Sequence, residues 1–144
     1  QGYDHIGLSG ISLGGNVAAQ TLALADVDQV VLTIPGVDLF ETMCESPLAS
    51  LLRGEDIEHR FPEKRLRQAF EVITPIEFDD LATDPDNVLG LYGRYDEIAP
   101  PGPVRRLSEK WGFRTREFDR GHRTIALEML TLRTAYASWL LGAP

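Results

Sequence analysis

Residues 3–25 pass from a short apolar stretch, YDHIGL, through a turn dense in glycine and serine into the alanine- and leucine-rich VAAQTLALA. The turn, GLSGISLGGN (7–16), holds four glycines and two serines in ten positions. Strand, tight turn and helix in immediate succession commit the chain to a layered α/β architecture. Three uses of such a turn compete: exposure of a nucleophilic serine, a cradle for a phosphate, or a plain reversal of direction.

The remaining pattern repeats the alternation. VDQVVLTI (27–34) is a β-branched run stopped by Pro35-Gly36, and NVLGLY (87–92) follows the turn-like TDPDN. FRTREF (113–118) alternates apolar and polar residues, so four strands are expected, the first over 3–9. Helices are expected over 13–25, over 103–112, where proline opens and Gly112 closes the segment, and over 123–142. In the last, Ile125, Met129, Leu132, Tyr136 and Trp139 recur at steps of four and three, forming one apolar stripe. The fold class expected is α/β, a mostly parallel sheet flanked by helices. Residues 38–82 interrupt the alternation with helix-like pieces near 47–53 and 62–73. This insertion either covers the site from the strand ends, as a cap does, or packs as plain scaffold.

Composition narrows the chemistry. The chain has 144 residues, 43% hydrophobic and 25% charged, which fits one domain with a sizeable core. A formal net charge of −8 disfavours nucleic acid and anionic lipid as partners. No apolar run approaches the roughly 18 residues of a membrane span, and no signal-peptide pattern opens the sequence. The single cysteine, Cys44, excludes an internal disulfide and a cysteine metal cluster, reads as a passive small residue, and points to the cytoplasm.

Gly10-Ile11-Ser12-Leu13-Gly14 fits G-x-S-x-G, in which a strained turn lifts the serine hydroxyl clear of the sheet. Glycines two positions to either side avoid collisions with the adjoining strand and helix. Ser9 fails the pattern because Ile11 stands where its second glycine belongs. A serine needs a base and an acid behind it. Of three histidines, His5 is expected to pack in the first strand and His59 to be solvated in EDIEHR. His122, in EFDRGHRT after the fourth strand, sits where loops reach the carboxyl ends of parallel strands. Asp96, in GRYDEIAPP just past the third strand, shares that rim. Glu97 and Asp38 are alternative acids, Asp119 is too near His122 in sequence, and Asp79, Asp80, Asp84 and Asp86 read as solvated.

GISLGGNVA, GRYDEIAP and GHRT, in that order, resemble the elbow, acid loop and histidine loop of the α/β-hydrolase superfamily, and the resemblance spans nearly the whole chain. It implies a partial α/β-hydrolase domain over 1–144, beginning about halfway through the fold, with Ser12, His122 and Asp96 as catalytic residues and no cofactor. The Leu13 N–H would be one oxyanion donor. The second would come from an absent N-terminal half or a second chain that completes the sheet beside the first strand. The implied substrate is a small ester, thioester or amide, with carboxylesterase the most economical activity. Phe40, Met43, Leu48, Leu51, Leu52, Phe61 and Phe70 could line an acyl pocket or simply pack. Two rival readings stand beside this one. A catalytically incomplete fragment or interaction module would keep the fold alone. A dinucleotide site would use the glycines and place Asp38 near the ~20-residue distance of a ribose-binding acid, but no G-x-G-x-x-G register exists.

Overall fold

The computed structural model describes residues 3–47 and 62–140, without the side chains of 126, 129–132, 134, 135 and 138. Strands β1 (Gly7–Ile11), β2 (Gln29–Thr33), β3 (Val88–Gly93) and β4 (Arg114–Phe118) form one sheet in the order β1-β2-β3-β4. Every neighbouring pair is parallel. The expected α/β class is what the chain adopts. Helix α1 (Leu13–Leu24) connects β1 to β2, α2 (Glu63–Glu71) lies in the long connection to β3, α3 (Pro101–Trp111) joins β3 to β4, and α4 (His122–Leu140) follows β4.

The two faces of the sheet follow from strand periodicity. Val30 and Leu32 turn into a core with Ala18, Ala19 and Leu22 of α1 and Val104, Leu107 and Trp111 of α3. One residue out of step, Val31 turns to the opposite face together with Ser9, its register partner on β1. There α4 packs: the Tyr136 hydroxyl meets Ser9 Oγ, and Trp139 Nε1 donates to the Val30 carbonyl at 3.1 Å. Of the expected apolar stripe, Ile125 is buried and Tyr136 and Trp139 are half-buried. Met129 and Leu132 lie outside the described side chains. Gly112 closes α3 in the left-handed region at φ 81°, the cap its position after the helix predicts.

β1 departs from its expected bounds. It starts at Gly7 and runs to Ile11, directly against Ser12. The ladder to β2, from Gly7↔Gln29 to Ile11↔Thr33, makes a strand of residues that carry little β propensity of their own. His5 consequently precedes the strand, is exposed, and donates from Nε2 to the Leu140 carbonyl at 2.8 Å rather than packing within the sheet.

The connection between β2 and β3 begins with a π-helical turn at Glu41–Glu45 and resumes with α2. The expected helix near 47–53 and His59 lie outside the described residues. From Thr74 the chain returns to the body of the domain. Ile76 N–H donates to Val37 at 3.2 Å, Ala82 N–H donates to Leu22 at 2.8 Å, and Thr83 Oγ1 donates to Ala25 at 2.8 Å. Ile76, Phe78 and Leu81 pack against the core.

Candidate active site

In an all-parallel sheet the carboxyl ends share one rim, and each strand here delivers a loop to it. Ser12 follows β1 directly. Its backbone is bent to φ 54° and ψ −116°, a region a non-glycine residue occupies only when its surroundings enforce it. The enforcement is visible: Ser12 N–H donates to the Thr33 carbonyl at 2.9 Å, and its carbonyl accepts from Asn16 N–H at 3.0 Å and Gly36 N–H at 3.4 Å.

The glycines around it differ in what they allow. A Cβ on Gly10 would stand 2.2 Å from the Gly14 carbonyl oxygen, and one on Gly15 would stand 2.9 Å from Pro35. Gly14 has open space around it. The second glycine of the motif is therefore not sterically required among the described residues, contrary to the collision expected there. The requirement falls one residue later, where Pro35 of the turn after β2 presses on the helix.

Asp96 follows β3. Its side chain is wholly shielded from solvent, and Oδ1 accepts from Ile98 N–H at 3.0 Å and Ala99 N–H at 2.8 Å. These bonds fix the carboxylate without using Oδ2. His122 opens α4, and its loop is laced to the Asp96 loop. Arg94 N–H donates to Phe118 at 2.8 Å and Tyr95 N–H to Arg120 at 3.1 Å. The approach needs Gly93, since a Cβ there would lie 2.3 Å from the Arg120 oxygen.

The structure brings three predicted side chains into one line. Ser12 Oγ lies 2.9 Å from His122 Nε2, and His122 Nδ1 lies 2.8 Å and 3.0 Å from Oδ2 and Oδ1 of Asp96. A carboxylate only accepts, so Nδ1 carries the ring proton and Nε2 is left to accept from the serine hydroxyl. The imidazole is half-buried and the serine half-buried, open on the side of the rim. Leu13 opens α1, so its N–H has no acceptor within the helix, and the residue is exposed. Serine hydroxyl, ring nitrogen and anchored carboxylate thus stand in one continuous hydrogen-bonded line, with the Leu13 N–H next to it at the start of α1.

The alternative acids stand elsewhere. Asp38 caps the π-helical turn by accepting from Glu41 N–H at 2.9 Å and faces Arg106. Glu97 is exposed, and Asp119 pairs with Arg94 at 2.9 Å. Asp79 and Asp86 are exposed beside Lys110 and Arg114. Burial, with repulsion from Asp38, raises the Glu41 carboxyl above its usual range. Of the residues expected to border an acyl pocket, Phe40 and Phe70 line a cavity of about 60 Å³ together with Asp38, Arg67, Glu71, Thr74 and Glu77. That lining is mixed rather than apolar, and the Arg67 guanidinium covers the Phe40 ring at 3.8 Å. Met43 is half-buried, as is Cys44. Leu48, Leu51, Leu52 and Phe61 lie outside the described residues. Among those residues no group of three His, Cys, Asp or Glu side chains is placed to hold a metal ion, and no helix is long and apolar enough to cross a membrane.

Two features of the site were not apparent from the sequence. Ile34 takes φ 43°, outside the ordinary range of a β-branched residue, and is fully buried at the turn that holds Ser12. Asn16, also fully buried, spans from α1 to that turn. The run GGN contained the hint of Asn16, as a polar residue in the first turns of an alanine- and leucine-rich helix.

No protein-family model and no curated protein matches the chain. Solved structures do. The chain is similar to the Pyrococcus furiosus esterase Pf2001 (TM-score 0.61, 20% identity, 96% of this chain and 53% of that one). It is also similar to a puromycin-hydrolyzing peptidase of Mycobacterium tuberculosis (TM-score 0.67, 18% identity, 96% and 22%). A monoacylglycerol lipase of Paleococcus ferrophilus is a third match (TM-score 0.62, 18% identity, 96% and 68%). These are α/β-hydrolase fold members, and this chain carries that fold. It spans about half the length of the esterase and under a quarter of the peptidase.

Proposed function

We propose that the chain supplies the reacting residues of a serine hydrolase that cleaves a carboxylic ester, thioester or amide. The observation that carries this reading is the unbroken hydrogen-bonded line from Ser12 Oγ through His122 to Asp96. Its similarity in fold to an esterase, a lipase and a peptidase supports hydrolysis in general.

In this reading His122 Nε2 takes the Ser12 proton as Oγ bonds to the substrate carbonyl carbon, and Asp96 holds the resulting imidazolium. The oxyanion accepts from Leu13 N–H. Collapse breaks the bond to the leaving group, which departs with the proton from His122, and Ser12 is left acylated. Water then attacks the acyl carbon, giving its proton to His122, and the acid is released as that proton returns to Ser12. Serine, histidine and water close the cycle without a cofactor. Carboxylesterase activity on a small ester is the simplest form, and residues 38–82 are the inserted segment that would border the acyl group.

In this reading a second oxyanion donor comes from a segment that adds a strand beside β1. β1 pairs with β2 on one side only among the described residues, and Ile6 and Ile11, at the two ends of this strand, are exposed, as are Leu13 and Val17 of α1. An N-terminal half or second chain adding a strand there would bring the missing N–H. The same open edge favours the alternative, a fold kept as an interaction module that does not turn over unaided.

The test is hydrolysis of p-nitrophenyl acyl esters by the natural full-length polypeptide. Activity that falls to background in Ser12→Ala and His122→Ala supports the reading, and activity unchanged in Ser12→Ala overturns it.

A further inference from the structure

The carbonyl of Ser12 and the N–H of Leu13 belong to one planar trans peptide and point in opposite directions, so whatever grips the first aims the second. The carbonyl is gripped from behind by Gly36 N–H at 3.4 Å, besides the helical bond from Asn16 N–H. Gly36 is itself held from its other side: its carbonyl, part of the next peptide, accepts from Asn16 Nδ2 at 2.8 Å, and the same nitrogen donates to the Ile73 carbonyl at 3.4 Å. Two carbonyl acceptors demand the amide nitrogen on that side, and Oδ1 is occupied by Gln20 Nε2 at 2.6 Å. The turn so braced contains Ile34 at φ 43° and Pro35, which is packed against Gly15. Strained backbone on both sides of the contact, at Ser12 and at Ile34, relaxes unless something buried holds it.

We infer that Asn16 is a positioning residue for the oxyanion donor: its amide ties the turn after β2 to the inserted segment at Ile73, and so fixes the direction of the Leu13 N–H. The inference rests on the serine-hydrolase reading and adds to it a link between the segment 38–82 and the reacting centre. The amide touches neither His122 nor Asp96 in this arrangement, so the pair that takes the proton stays in place when it is removed. What suffers is the stabilisation of charge on the tetrahedral oxygen, which a misdirected donor cannot give.

The experiment uses the full-length polypeptide and two variants, Asn16→Ala and Asn16→Leu, which fills a similar volume without the amide. Active sites are counted with a fluorophosphonate, and kcat is expressed per labelled serine, so that unfolded molecules drop out. The expected result is a fall in kcat per site of about tenfold or more in both variants. KM and the pH profile should stay as in the wild type, and affinity for a boronic acid, which mimics the tetrahedral state, should fall by a similar factor. A kcat per site within about twofold of the wild type in either variant overturns the inference, as does a loss confined to the number of active sites. A wild-type protein that neither labels nor hydrolyses overturns the serine-hydrolase reading instead, so the two failures are distinct.

Discussion

Oδ2 of Asp96 lies 2.8 Å from Nδ1 of His122 while Oδ1 of the same carboxylate accepts two backbone N–H groups. Oδ1 anchors the loop, while Oδ2 makes the shorter of the two contacts that orient the imidazole. Asp96→Asn separates these jobs. The amide oxygen can keep the bonds from Ile98 and Ala99, but an NH₂ facing Nδ1 drives the ring proton to Nε2, where it blocks acceptance from Ser12. The expected outcome is a fall in kcat of about 10⁴-fold, the scale seen when a triad aspartate is so replaced. Circular dichroism and thermal melting should show the fold retained.

The glycines of the elbow should respond unequally. Gly10→Ala and Gly15→Ala force a Cβ to 2.2 Å from backbone and 2.9 Å from Pro35, and each should destabilise by about 1–3 kcal/mol or more. Gly14→Ala meets open space inside α1 and should stabilise by roughly 0.5–1 kcal/mol. Chemical denaturation of the three variants orders them; equal losses at Gly14 and Gly15 would contradict the packing described for Pro35.

Hydrogen bonds from Arg105, then from Arg94, hold the Glu117 carboxyl below its ordinary value of 4.5. A carboxyl with a depressed folded value binds fewer protons folded than unfolded near that pH. Its stabilisation is complete above the unfolded value and is lost as pH falls through the folded one. Thermal midpoints of wild type and Glu117→Gln should therefore differ at about pH 6 and converge as pH falls below the ordinary carboxylate range. The side chain is partly exposed, and added salt should narrow the gap as well. A gap independent of pH would mean that the pairing of β3, β4 and α3 through this residue carries no ionic contribution.

The sequence disclosed the fold class because strand and helix periods are local properties of the chain, and all four strands and the helices of the main alternation stand close to their expected places. Ser12, Asp96 and His122 were nameable for a related reason: each directly follows or closely trails a strand, and parallel strands put such positions on one rim. What was hidden depends on distant backbone. β1 extends to Ile11 only because Thr33 lies opposite. The left-handed Ile34 could not be read from an isoleucine, whose own preference is against it. The steric burden sits on Gly15 rather than Gly14 because of Pro35, a residue in another loop. Glu41–Glu45 forms a π-helical turn, which no local pattern announced.

The central claim is that the Ser12 hydroxyl is made nucleophilic by His122, and the most direct measurement is the intact mass of the full-length polypeptide after treatment with a fluorophosphonate. The account predicts a single adduct, mapped by digestion to Ser12 and absent from His122→Ala over the same interval. A folded protein that stays unmodified, or an adduct mapped to another residue with Ser12 untouched, would contradict it.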